Sequence, residues 1–221
     1  GCPDPQATNY YCHMYMCENG QHPDLLEDDG SCTYQLSGHI SYYSNMEPVN
    51  GVTIQFTGIT QSGIDTTISI MTDDNGDFNY DDLPLGTFEC TPLFNDDSFN
   101  GISSADASDI ALHLIGEQLF SYSHSMDAAD VSLDSMVTSV DPSRVARYLV
   151  ESIEQMNGEG LTWEFDPPFI SITDVTQTEF AAFQGIKLGD VNGGWSAQSS
   201  NLTRMEPNGS VKIDIESQNE T

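Results

Sequence analysis

Between Asp130 and Asp141 the chain reads Asp-Val-Ser-Leu-Asp-Ser-Met-Val-Thr-Ser-Val-Asp, with oxygen-bearing side chains at the first, third, fifth, ninth and twelfth places. A hard divalent cation takes roughly six to eight oxygen ligands, and a twelve-residue loop supplies them from alternate positions plus a backbone carbonyl at the seventh. Asp130, Ser132, Asp134, Thr138 and Asp141 are therefore candidate side-chain ligands for Ca2+, with Met136 offering its carbonyl. The sixth place is Ser135, where glycine is usual, and the twelfth is Asp rather than Glu. The structural alternative is a serine-rich connector into a helix, with Asp141 as N-cap and Pro142 in the first turn.

A shorter segment upstream, Asp96-Asp-Ser-Phe-Asn-Gly-Ile-Ser-Ser-Ala-Asp106, repeats the spacing. Asp96, Ser98, Asn100, Ile102 and Asp106 form a second candidate set, in a loop one residue shorter after Gly101. Gly189-Asp-Val-Asn-Gly193 begins like such a loop but lacks its end. Asp190 and Asn192 either complete one of the upstream sites or form a tight surface turn. Asp73, Asn75 and Asp77 are explained by the geometry of an Asn-Gly hairpin without a cation.

Other chemistry has weaker footing. His13 and His22 sit among cysteines, but no CxxC-type zinc spacing accompanies them. His39 and His113 fall on an apparent strand and helix, where a histidine is ordinarily structural, and no nucleophile and base share a usable spacing. Carboxylates are so abundant that any pair could be named a glycosidase dyad, which makes such a pair uninformative. The expectation is a protein with no catalytic residues whose cofactor is Ca2+.

Composition bounds the remaining possibilities. The 221 residues hold 5 Lys plus Arg against 35 Asp plus Glu, a formal net charge of −30, and all five basic residues lie beyond Ser143. Nucleic-acid backbones demand clustered cations, so that class is excluded, and anionic membranes should repel the chain. So much like charge opposes a compact state unless counter-ions neutralise it. No stretch is long and apolar enough to span a membrane. Because the chain opens on Gly1-Cys2 with no visible secretory signal, either a signal has been removed or this is a segment of a longer polypeptide.

The elements that must position these loops read as four successive pieces. Residues 1 to 34 contain Cys2, Cys12, Cys17 and Cys32, a density expected of an oxidised, disulfide-stapled extracellular module. The expected pairing nests Cys12–Cys17 inside Cys2–Cys32, one of three possible connectivities. Cys90 is left over as a small buried hydrophobe on a strand. Residues 35 to 94 alternate in strand fashion at Val52, Ile54 and Phe56, Ile68 and Ile70, Phe78 and Tyr80, then Phe88 and Cys90, with turns at Asp74-Asn75-Gly76 and Pro84-Leu85-Gly86. This pattern predicts a β-sandwich. Residues 95 to 195 hold two loop-helix units, the first with Ile110, Leu114 and Ile115 on one face, the second with Val145, Leu149, Ile153 and Met156. Residues 196 to 221 are a polar linker and a period-2 strand, Ser210 to Glu216.

Three of these pieces resemble known families. The first begins Gly-Cys-Pro-Asp-Pro-Gln-Ala-Thr-Asn-Tyr and ends Asp-Asp-Gly-Ser-Cys, similar to an acidic repeat of secreted bacterial proteins, with Cys12 and Cys17 in an insertion. Gly51-Val-Thr-Ile, Thr72-Asp-Asp-Asn-Gly-Asp-Phe and Leu83-Pro-Leu-Gly-Thr-Phe resemble the transthyretin-like, or carboxypeptidase-regulatory-like, seven-stranded domain. The paired loops and helices resemble a type I dockerin. Leu161-Thr-Trp-Glu-Phe with Phe183-Gln-Gly-Ile-Lys-Leu-Gly-Asp-Val-Asn-Gly193 resembles the segment C-terminal to the dockerin pair in large secreted bacterial surface proteins. The resemblance implies a mixed, mainly β chain, secreted to the cell surface of a bacterium. It implies a non-enzymatic, calcium-stabilised structural or adhesive role, assembling with itself or with neighbouring domains, with the C-terminal strand as the candidate contact. It leaves two alternatives: docking to a cohesin-like protein, and binding of polysaccharide by aromatics such as Tyr10, Tyr11, Tyr42 or Tyr43, whose ordinary reading is as packing residues.

Overall fold

The computed structural model describes residues 2, 4, 6–8, 32–96, 98–173 and 179–197. Expectations about Tyr10, Tyr11, Cys12, His13, Cys17, His22 and the strand from Ser210 to Glu216 lie outside these residues. The chain divides into two compact units. One takes in the described residues within 1–41, 48–94 and 165–184, the other those within 42–47, 95–164 and 185–197.

The first unit is built of alternating strands. In β1 (Thr33–Tyr42) the buried positions include Tyr34, Leu36 and Ile40, and in β2 (Thr53–Thr60) they are Ile54 and Phe56. Next come β3 (Asp65–Met71), β4 (Asp77–Pro84) and β5 (Gly86–Leu93), with Phe78, Leu83, Phe88 and Cys90 buried. Apolar residues at every second place give each strand one face for a core. Two four-stranded sheets result, ordered β4-β1-β8-β6 and β3-β2-β5-β7, where β6 is Trp163–Asp166, β7 is Ile170–Thr173 and β8 is Glu179–Lys187. Phe56 of one sheet stacks on Tyr80 of the other, ring centroids 6.2 Å apart, inside a sandwich-like core.

Two expectations about this unit change. The Asn75-Gly76 turn, expected to close a hairpin, links β3 of one sheet to β4 of the other. Asp73 organises it: Oδ1 accepts the N–H groups of Asn75 and Asp77, and Gly76 takes φ +73°, which glycine meets without strain. Residues 165–184, expected to belong with the loop-helix pair, instead supply β7 and most of β8 to the sheets. β7 pairs antiparallel with β5, setting Ile172 opposite Phe88. A four-residue strand carries too little pattern to reveal a partner some eighty positions earlier.

Cys2 is bonded to Cys32, the outer pair of the expected nest. Near it the Tyr34 hydroxyl donates to Asp4 at 2.6 Å. Cys90 is a free, buried thiol whose pKa burial pushes up to about 12.

The second unit contains a duplication. α1 (Ser104–Leu114) and α3 (Val140–Leu149) pack together and bury Ile110 and Val145 at corresponding positions. Near the start of each helix a hydroxyl residue has an aspartate three places later: the N-cap Ser103 with Asp106 in α1, and Thr138, one place before the N-cap, with Asp141 in α3. In both, the backbone N–H of the hydroxyl residue donates to the aspartate, at 2.8 Å. In α1 the bond belongs to a full capping box, whereas the Ser139 N-cap of α3 makes no side-chain cap bond. Both helices end alike, Ile115 and Val150 at the C-cap and Gly116 and Glu151 at positive φ. These stops shorten the expected apolar faces. Ile115 is 71% exposed, and Ile153 and Met156 lie beyond α3, though Met156 is buried and its carbonyl accepts Arg144 at 2.6 Å. A five-residue helix, α2 (Ser125–Ala129), is too short to show periodicity in the sequence.

Gly58 tests the sandwich. A Cβ there would overlap the Thr87 carbonyl and stand 2.7 Å from Phe88 Cα on β5. Gly58→Ala is expected to cost about 1–3 kcal/mol in urea unfolding of the first unit, more than Thr57→Ala on the same strand.

Candidate functional site

All the sequence-derived candidate ligands lie in the second unit, most of them in two loops that lead into α1 and α3. In the second loop, Asp130 Oδ1 accepts the Asp134 N–H and the Ser132 hydroxyl, both at 3.2 Å, so the chain wraps around that oxygen. Asp134 Oδ1 accepts the Met136 N–H. Asp141, 0% exposed, takes the Ser132 N–H on one oxygen and the Thr138 N–H and hydroxyl on the other. Ser135 adopts φ +67°, the left-handed conformation that makes glycine usual at this sixth place. An open depression beside the loop is lined by Asp127, Asp130, Glu164, Met126, Leu133 and Met136, among others. Burial raises the Glu164 pKa, and the Asp127 and Asp130 charges raise it further.

The first loop is arranged differently. Asp96 again accepts from the third-place residue, the Ser98 N–H at 2.8 Å and its hydroxyl at 2.6 Å. The Lys187 ammonium then donates to Asp96 Oδ2 at 2.9 Å and to Ser98 Oγ at 3.2 Å. Lys187 is 0% exposed. Burial would raise the Asp96 pKa, but the Lys187 charge and the bonds from Ser98 and Lys187 hold it below the ordinary range. Asn100 turns to Ser196, donating to its carbonyl and accepting its N–H. Ile102 is buried by its side chain.

Asp106 and Asp190 are both 0% exposed. Asp106 Oδ1 accepts the N–H groups of Val191 and Asn192, and Oδ2 accepts the backbone N–H and the hydroxyl of Ser103. Asp190 accepts from Gly194, Trp195 and the Tyr42 hydroxyl at 2.6–2.8 Å. Gly189 to Gly193 thus closes on an upstream loop, with the backbone amides of Val191 and Asn192 meeting Asp106. Burial, then the Asp190 charge, pushes the Asp106 pKa up to about 6, and burial also raises that of Asp190.

Tyr42 and Tyr43, offered by the sequence as carbohydrate-facing aromatics, are buried. Tyr42 packs against Trp195 and Trp163, centroids 4.8 and 5.6 Å away, and Tyr43 donates to the Asp190 carbonyl. Burial, then the Asp190 charge, moves both phenol pKa values upward. His39 bonds Asp77 at 2.8 Å and His113 stacks on Phe120. Among the described residues no three Asp, Glu, His or Cys side chains gather into a metal-binding cluster. Sequence reasoning missed Lys187, although a lone cation between Ile186 and Leu188 in so acidic a chain was the available signal.

No family model and no curated protein matches the chain. Among solved structures, the full-length major pilin SpaD from Corynebacterium diphtheriae is 24% identical over 34% of this chain and 24% of that one, with a TM-score of 0.27. A 9R-lipoxygenase from Cyanothece PCC8801 is 14% identical over 36% of this chain and 13% of that one, at 0.24. The chain spans about a quarter of the first and about an eighth of the second. Neither likeness carries an argument at such scores.

The buried charges set two expectations. Asp96→Ala leaves a wholly buried ammonium without its carboxylate and is expected to cost about 3–5 kcal/mol in denaturant unfolding of this unit. For Asp106, a folded pKa above its ordinary 3.8 means that the native state binds the proton more tightly. Its contribution to stability therefore falls as pH rises from about 4 to about 6 and is constant above that. Urea midpoints in EDTA should be higher near pH 5 than near pH 7.5, and Asp190→Asn should shrink the difference.

Proposed function

We propose that this chain is a non-enzymatic, calcium-stabilised structural or adhesive segment of an extracellular bacterial surface protein. The observation that carries this reading is the shape of the second loop, where Ser135 turns left-handed and the chain wraps around the Asp130 carboxylate. Every candidate donor there is a hard oxygen: Asp130, Ser132, Asp134, Thr138, Asp141 and the carbonyl of Met136. Bound calcium supplies positive charge to a chain of formal net charge −30. The Cys2–Cys32 disulfide fits an oxidising compartment, and among the described residues no helix is long and apolar enough to cross a membrane. Partners are a second copy or adjoining domains.

The docking alternative has one observation in its favour. The duplicated helices expose apolar residues at matching ends, Ile115 at 71% and Val150 at 72%, which a cohesin-like partner would bury. The polysaccharide alternative loses two of its aromatics, since Tyr42 and Tyr43 are buried.

Melting the full chain in EDTA and in millimolar calcium tests the proposal. An ion held by the native state alone at a hundredfold excess over its dissociation constant adds about 2.7 kcal/mol, which raises the melting temperature of the second unit by roughly 5–10 °C. Asp134→Ala, at an exposed ligand position, should abolish the rise. Equal melting in both solutions removes calcium from the proposal. Negative-stain images decide self-association: fibres that fray on chelation support it, and dispersed monomers in calcium send the adhesive role to adjoining domains.

A further inference from the structure

We infer that the first loop carries its cation within the chain, as the Lys187 ammonium, so that the loop pair takes a single divalent ion where its repeated pattern offers two places. The inference rests on the calcium reading for the second loop only; the assignment of Lys187 stands on its own geometry.

Nζ of Lys187 lies 2.9 Å from Asp96 Oδ2 and 3.2 Å from Ser98 Oγ, the side chains at the first and third places of the loop. Those places are where a divalent ion would take its opening ligands. The lysine side chain is 0% exposed, while Asp96 is 27% exposed, so the charge is held on the inner side of the carboxylate. Trp163 lies beside it, its ring centroid 5.6 Å from Nζ, a distance at which a π face attracts a cation. The other candidate donors are engaged elsewhere. Asn100 is bonded in both directions to Ser196, and Asp106 accepts four donors from Ser103, Val191 and Asn192. A divalent ion entering here would have to displace a buried ammonium from Asp96 or sit beside it against like charge.

The second loop presents the opposite surroundings. Its first- and third-place residues, Asp130 and Ser132, correspond to Asp96 and Ser98, but the charged groups that line the adjoining depression with Asp130 are the Asp127 and Glu164 carboxylates. Trp163 and Glu164 are consecutive, and they divide the two environments: the indole faces the ammonium, the carboxylate the open depression. One copy of the repeat is thus neutralised from within and the other needs charge from solution.

The test uses the intact chain and two readouts. The first is amine acetylation with an N-hydroxysuccinimide ester, then mass spectrometry at Lys187, in EDTA and in 10 mM calcium chloride. The second is the number of calcium ions bound at equilibrium dialysis, for the wild type, Asp134→Ala and Asp96→Asn. Lys187 should react at least roughly tenfold more slowly than in the urea-unfolded chain, equally with and without calcium. One ion should bind per chain, lost in Asp134→Ala and kept in Asp96→Asn. Rapid native acetylation, or acetylation that calcium accelerates, overturns the assignment of Lys187. Two bound ions, one of them lost in Asp96→Asn, overturns it as well. Zero bound ions with Lys187 protected sinks the calcium reading of the second loop while upholding the ammonium in the first.

Discussion

Asp106, Asp141 and Asp190 are wholly withdrawn from solvent in a unit that lies within a chain of formal net charge −30. A buried carboxylate is costly unless hydrogen bonds and opposite charge replace its hydration. The backbone of this unit is shaped by that demand. Asp106 and Asp141 each gather donors from the residues just before their helices, and Asp190 bends the chain so that the amides of Gly194 and Trp195 point at it. Gly101 shows how close the approach is: a Cβ there would stand 2.5 Å from Asp190 Oδ2 and 2.8 Å from the Trp195 nitrogen. Only a residue without a side chain, free to adopt φ +85°, fits.

Much of the fold was legible from residue pattern. Period-2 alternation located β2 to β5, because a strand with one buried face must alternate. The apolar spacing after each loop placed α1 and α3, although α3 starts at Val140 and takes in Asp141, which the connector reading sets at the N-cap. The features that escaped were long-range: β7 against β5 and the reach of Lys187 to Asp96. Each depends on a partner dozens of residues away, and a four-residue strand or a single lysine contains nothing that names its partner. The helix ends were overestimated for a local reason, since Ile115 in one face and Ile153 with Met156 in the other continue the apolar spacing beyond α1 and α3, where Gly116 and Glu151 turn left-handed.

The two loop-helix units illustrate how one design can diverge in electrostatics while keeping its backbone. Both retain the aspartate inside the first turn, the left-handed residue in the loop and the same pattern at the helix end. In the first unit a lysine from β8 meets the opening aspartate, and the segment after it closes on Asp106. In the second, Asp141 returns to its own loop, and the opening aspartate faces a depression with other carboxylates. On the proposed calcium account the candidate site is therefore one loop, not a symmetric pair. On the same proposed account, a role outside the cell, where calcium is plentiful, would supply that charge.

Amide hydrogen exchange on the full chain, with calcium and with chelator, tests this asymmetry most directly, because it reports each loop separately. The account predicts that calcium raises protection across residues 130–141 and into α3, while residues 96–106 and α1 exchange alike in both conditions. Protection that rises equally in both loops, or in neither, would contradict it.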